Sequence, residues 1–239
     1  MQLPIQSAPE YRVELPVSKQ TVRYRPFLVK EQRNMIMVKE DATPNEMFYA
    51  LVSMLQSVCL DDVKIDALPM TDVEFFFMHV RTRSVGETIK VQSQCNKKNC
   101  DGTVSSKVDF TDIKVTAPEN PIISDDGRIP LSEELTVQLK VPTSKEMMSV
   151  ADIENESDMI RQLMLLSLVK IYDKENIYEL KEYRDSEIID FIESLTIQQF
   201  EGVSKFFEEI PTVSIEMKGI CDTCKVKSQE TIQGFANFF

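Results

Sequence analysis

The sequence is short of the residues that most enzyme sites need. It has one histidine, no tryptophan and six glycines in 239 residues. A single histidine excludes histidine-rich metal chemistry, and so few glycines leave no phosphate-cradling loop and no nucleophile elbow. No run of about 18 apolar residues is present, so no membrane-spanning helix is expected. The opening Met1-Gln2-Leu3-Pro4-Ile5-Gln6 lacks the basic start and apolar run of a secretory signal. A reducing cytoplasm is therefore expected, where cysteines serve as metal ligands more readily than as disulfides. Basic residues are also in deficit: 27 Lys and Arg against 39 Asp and Glu give a formal charge of -12. Such a balance opposes broad nucleic-acid binding, and the short clusters Arg81/Arg83 and Lys97/Lys98 read as solvated surface.

What is present is ordinary globular composition, with 42% hydrophobic and 28% charged residues, enough to bury a proper core. Tyr11 to Arg25 alternates in places and reads as a β-hairpin or two short strands, followed by a helix over 29–39. Thr43-Pro44-Asn45-Glu46 has the spacing of a capping box and opens a helix with Phe48, Leu51, Val52, Leu55 and Val58 on one face. A loop over 66–69 leads to a third helix from Met70 to about Arg83. Beyond Gly86 the pattern turns to strands over 88–94 and 102–115. The stretch 120–129 is turn-rich, with Asp125-Asp126-Gly127 as a hairpin loop, and Leu135, Val137, Leu139 and Val141 alternate as a strand. From Ser144 to Glu209 the periodicity is helical. One stripe combines Ile160, Leu163, Met164, Leu168 and Ile171, and others run through Ile188, Ile192 and Leu195 and through Phe200, Val203 and Phe207. Val213, Ile215 and Met217 then alternate into a last pair of strands.

Four of the five cysteines fall into two close pairs: Cys95 and Cys100 as C-x4-C, and Cys221 and Cys224 as C-x2-C. Each pair follows one extended run and precedes another, with Asn99, Asp101, Gly102 and Asp222 supplying turn chemistry. Cysteines at the tips of two β-hairpins build a zinc ribbon, in which four thiolates close a tetrahedron around a structural zinc ion. The pairs stand 120 residues apart, counting from 101 to 220, which leaves free or redox-active thiols as the competing reading. Lys97, Lys98, Lys218 and Lys225 would offset the negative charge of four thiolates around one dication. A closed site leaves no position for substrate, so the chain is expected not to be an enzyme. Cys59 reads as a packing residue and His79 as a helix residue with a local partner.

The expected fold class is therefore α+β. A β and helical segment occupies 1–86, a zinc-ribbon-like β region 87–143 together with 210–239, and a helical insertion 144–209. At the C-terminus, Phe235, Phe238 and Phe239 either pack on the chain's own core or anchor in a neighbouring subunit.

Several segments carry a resemblance. Val22-Arg23-Tyr24-Arg25-Pro26-Phe27-Leu28-Val29-Lys30-Glu31, the stretch from Leu68-Pro69 to Phe77, Arg81-Thr82-Arg83-Ser84-Val85-Gly86-Glu87, the second cysteine pair and the Phe238-Phe239 ending resemble tail baseplate proteins of T4-like bacteriophages. Within that family they are similar to the hub subunits and hub assembly proteins. The first pair departs from the tighter C-x2-C more usual there. The resemblance implies a structural or assembly role in the hub of a contractile tail. It also implies other phage tail proteins as partners and assembly in the host cytoplasm. The alternative carried with it is a nucleic-acid-binding zinc ribbon, which needs a basic, aromatic-bearing face near Cys95 to Cys100.

Overall fold

Tyr11–Glu14 (β1) and Thr21–Tyr24 (β2) pair antiparallel, with Tyr11 opposite Tyr24. Their inward side chains, Val13, Leu15, Val22 and Tyr24, are all buried. The turn between them is held from outside the hairpin. The carboxylate of Asp72, wholly buried, accepts the backbone N–H groups of Val17 and Ser18, each at 2.8 Å. The computed structural model describes residues 7–36, 43–117 and 126–233.

Three helices follow: α1 (Val29–Ile36), α2 (Pro44–Val58) and α3 (Met70–Val85). The capping box at α2 forms as its sequence dictates. Thr43 accepts from the Glu46 N–H at 3.3 Å and Glu46 accepts from the Thr43 N–H at 2.8 Å. The span 66–69 is not all loop, because Ile65–Ala67 closes a single 3-10 turn with Ile65 buried. Arg25 ties the hairpin exit to two helices, pairing with the buried Glu31 of α1 and donating to the Ser57 carbonyl of α2. Leu51, Leu55 and Val58 of α2 and Val73, Phe76 and Val80 of α3 join the hairpin in one core, where Phe76 meets Tyr24 edge-on at 5.5 Å. Each such side chain contributes about 1.5–3 kcal/mol on burial. The chain then runs through β3 (Thr88–Gln94), β4 (Thr103–Asp109) and the short β5 (Lys114–Thr116).

Residues 117–211 form a second compact unit. Its elements are β6 (Arg128–Pro130), β7 (Thr136–Leu139), α4 (Ser144–Val150), α5 (Glu156–Ser167), β8 (Leu168–Tyr172), β9 (Ile177–Glu179), α6 (Asp185–Glu193) and α7 (Ile197–Glu209). The strands pair antiparallel in the order β6-β7-β8-β9. Gly127 opens this sheet at φ 74°, and a Cβ there would sit 2.1 Å from the Leu139 carbonyl oxygen, so no other residue fits without displacing the backbone. The span 144–209 is thus not wholly helical. The stripe through Leu168 and Ile171 leaves the helix at Ser167, and both residues are buried on a strand that pairs with β7. That strand's β-branched and aromatic residues, Val169, Ile171 and Tyr172, favour the pleated surface once a partner edge is present. The sheet also takes in β6 and β7, so 128–139 belongs with this unit and not with the cysteine-bearing region expected over 87–143.

At Thr212 the chain re-enters the first unit as β10 (Thr212–Cys221) and ends its described course in β11 (Lys227–Gln233). The sheet order is β11-β10-β4-β3, with β5 also paired to β10. Val108, Val213, Ile215 and Met217 turn the sheet's inner face onto the helical core. The fold is α+β, and no helix of the described residues is long and apolar enough to cross a membrane.

Candidate metal centre

Both cysteine pairs sit where a hairpin turns. Cys95 follows β3, and its N–H donates to the Gly102 carbonyl at 2.9 Å, the rung that closes the β3–β4 hairpin. The Cys100 N–H turns back to the Lys97 carbonyl at 3.1 Å, and Asn99 takes the left-handed conformation that its short polar side chain tolerates. Cys221 ends β10. Its N–H donates to the Val226 carbonyl at 3.0 Å and its carbonyl accepts from Lys225 at 3.2 Å. Because β10 lies antiparallel beside β4, with Cys221 opposite Val104, the two hairpin tips emerge at the same end of one sheet. Strand pairing, not sequence proximity, brings the two pairs together.

The tips are also stitched directly. Asp222 donates its N–H to the Thr103 carbonyl at 3.0 Å, and its carboxylate accepts from the Thr103 N–H and the Thr223 hydroxyl, each at 2.9 Å. The Thr223 and Thr103 donors hold the Asp222 carboxyl below its ordinary value. Gly102 passes against the second tip so closely that a Cβ would lie 2.6 Å from both the Cys221 sulfur and the Thr223 hydroxyl. In the sequence, Gly102 and Asp222 show only turn chemistry. Their contacts across the tips are not legible from spacing alone.

The four sulfurs lie within 4.8 Å of one another. Cys95 and Cys224 are 3.7 Å apart, as are Cys100 and Cys221. A disulfide needs about 2.05 Å, so neither pair is bridged. A tetrahedron of thiolates about 2.3 Å from a zinc ion has edges of about 3.8 Å, and the two close pairs match that edge. Among the described residues this is the one cluster of three or more His, Cys, Asp or Glu with metal-binding spacing. Cys221 is fully buried and the other three are half-buried.

Without a cation, four crowded sulfurs cannot all ionise. The Lys97 N–H favours the Cys95 thiolate, but desolvation and the neighbouring sulfurs outweigh it and push Cys95 up to about 12. Cys100 is raised in the same way, against the N–H of Gly102. Cys224, aided first by the Val226 N–H, falls to about 7 and takes the negative charge that Cys95 and Cys100 give up. A dication reverses this competition and draws all four to the thiolate form. Of the four lysines expected to balance that charge, Lys225 is anchored at the second tip by its bond to the Asp222 carbonyl at 2.5 Å, and Lys218 is held by Glu216 at 3.0 Å. The exposed apolar side chains beside the tips are Ile220 and Val226, both aliphatic.

The remaining single residues have local roles. Cys59 caps the end of α2, half-buried against the core, with its thiol directed at the Asp61 carbonyl at 3.3 Å. His79 lies on α3 with its ring 4.5 Å from Phe75, and burial lowers its pKa. Phe235, Phe238 and Phe239 lie outside the described residues.

The chain matches the family described as T4 bacteriophage base plate protein over residues 8–239. No curated protein and no solved structure matches.

Proposed function

The chain belongs to the T4 bacteriophage base plate protein family, and from that premise we propose that it is a structural or assembly protein of the tail base plate hub, clamped by one structural zinc ion. The matched span takes in both compact units and both cysteine pairs. The observation that carries the reading is the tetrad itself: two hairpins, separated by a whole inserted unit, place four sulfurs at the spacing of a tetrahedral thiolate site. Cys95, Cys100, Cys221 and Cys224 would hold the ion. Four thiolates fill its coordination sphere, so the metal supplies folding energy, on the order of 10 kcal/mol, and no catalysis. The helices and sheet faces are then the working surfaces, and other phage tail proteins the partners, met in the host cytoplasm during assembly. In the same reading Phe235, Phe238 and Phe239 anchor in a neighbouring tail protein.

The test is metal analysis of the full chain purified without chelator, paired with complementation of a phage that lacks it. One zinc ion per chain, lost in Cys100→Ser and Cys224→Ser, supports the clamp. Failure of the cysteine variants to restore complete base plates supports the role. A chain that folds metal-free and is unaffected by a chelator overturns the clamp, and intact base plates formed without the chain overturn the role.

A further inference from the structure

The charge of this chain is divided between its two units. Residues 117–211 hold 21 of the 39 acidic side chains but only nine of the 27 basic ones, so that unit carries the whole formal charge of -12 and the other is neutral. Within the neutral unit the basic residues are not scattered evenly. The strand registers place Lys90 opposite Lys107 and Lys107 opposite Lys218, a row of three lysines across β3, β4 and β10. Residues paired in register project to the same face, and all three are exposed. Two pairs nearer the tips, exposed Lys227 faces Ile220, which is 54% exposed. Glu216 bridges Lys114 and Lys218, and Asp109, two residues along β4, feels the charge of Lys107, while Lys90, Lys107 and Lys227 have no carboxylate within ion-pair distance among the described residues. Like charges directly opposed on neighbouring strands cost stability, and strands are ordinarily patterned to avoid it. The row is therefore a face kept ready for negative charge.

The other unit offers that charge in concentrated form. Asp152, Glu154, Glu156 and Asp158 fall within seven residues at the entry to α5, and all four are exposed. Within this stretch, Asp158 meets Arg161 at 3.5 Å, and that guanidinium is held more closely by Glu193 at 2.9 Å. Glu156 and Asp158 suit the positive end of the helix, but Glu154 precedes it and gains little from it. We propose that the lysine row of one copy docks on the acidic turn 152–158 of a second copy, making a head-to-tail, salt-sensitive contact between copies of this chain. The contact is heterologous, so repetition of it gives rings or open chains according to the rotation between copies. It rests on backbone register and charge, and stands apart from the zinc reading.

The experiment measures the mass of the full chain in solution by sedimentation, across ionic strength. Screening shortens from about 10 Å at 0.1 M salt to about 3 Å at 1 M, so association should be evident at low salt and reduced at least roughly tenfold at high salt. Lys90→Glu with Lys107→Glu should remain at the 27.5 kDa monomer at low salt. Glu154→Lys with Glu156→Lys should do the same. Mixing the two variants should restore association, because reversed charges meet again. All substituted residues are exposed, and equal melting temperatures would show that the variants remain folded. A monomer at every salt concentration overturns the proposal. Association that survives the lysine reversal removes the row, and a mixture that stays monomeric removes the acidic turn. Salt-sensitive retention on DNA without self-association would reassign the row to nucleic acid and also overturn the proposal.

Discussion

Replacing Gly102 by alanine should weaken metal binding while leaving the helical core folded. The perturbation is one methyl group. Its carbon would stand 2.6 Å from the Cys221 sulfur, 2.6 Å from the Thr223 hydroxyl and 2.7 Å from the Thr223 Cβ, where a comfortable contact is about 3.5–4.0 Å. Gly102 does not use the left-handed backbone region, so the effect is steric and not one of backbone strain. The Thr223 hydroxyl is exposed and can turn away, but its Cβ moves only with the backbone of the tip. The Cys221 sulfur has no room to move, because the residue is fully buried and its backbone is bonded to Val226. The overlap of about 1 Å must then be relieved by parting the two tips. Overpacking of this kind costs about 1–3 kcal/mol. At about 1.4 kcal/mol per decade, zinc affinity should fall between about fivefold and about 150-fold. Competition against a chromophoric chelator measures it. Gly202→Ala is the control: nothing lies within 4 Å of its added Cβ, it sits inside α7, and it should stabilise the fold slightly without touching zinc. Wild-type zinc affinity in Gly102→Ala would refute the claim that both tips close on one ion.

Three further outcomes are expected. Asp72→Ala should lose about 2–4 kcal/mol in urea denaturation, since two backbone N–H groups lose their acceptor, and Asp72→Asn should recover part of it by keeping one oxygen. Asp173 accepts from the Tyr178 hydroxyl and from the N–H groups of Glu175 and Asn176, which hold its carboxyl down at about 2. A folded pKa below the unfolded one gives stability that is present above the unfolded value and lost as pH falls through about 2, so Asp173→Asn should destabilise the chain at pH 7 and be neutral near pH 2 in thermal melts. Metal binding must displace the protons that Cys95 and Cys100 keep at neutral pH, so zinc affinity should rise by at least about two decades per pH unit above pH 7, and more steeply below it where Cys224, at about 7, is also protonated. A chelator competition series across pH tests the sign and the slope.

The parts of the fold legible in the sequence were those written in local chemistry. Thr43 and Glu46 announce α2 because a capping box is satisfied within four residues. The same chemistry caps α4 at Thr143 and Glu146 and α7 at Thr196 and Gln199, so Thr-x-x-Glu and Thr-x-x-Gln were signals available inside a span read only as broadly helical. Leu168 and Ile171 misled for a non-local reason. Their spacing from Ile160 and Leu163 fits a helix, and only the edge of β7, some thirty residues earlier, makes Leu168–Tyr172 a strand. The role of Asp72 was hidden in the same way, because its partners Val17 and Ser18 lie more than fifty residues away.

The cysteine pairs could be read across a long gap because the gap begins and ends in one sheet. The chain leaves the first unit at Thr116 and returns at Thr212, and these two residues face each other as a β5–β10 pair. The insertion therefore costs the sheet little: closing a flexible loop of about a hundred residues would oppose folding by about 4 kcal/mol, but a unit that folds on its own core brings its ends together first. Thr212 is fixed by β5 at one end of β10, and Cys221, opposite Val104 of β4, lies at the other. A metal ion at the tips would thus secure the far end of a strand already held at its near end. By this account, loss of the metal should release the tips and the β10–β11 hairpin before it disturbs the buried cluster around Phe76, Val80, Val213 and Ile215. Amide exchange should show protection falling first at 95–103 and 219–228 on chelation, and uniform loss across the unit would show that the tetrad supports the whole core.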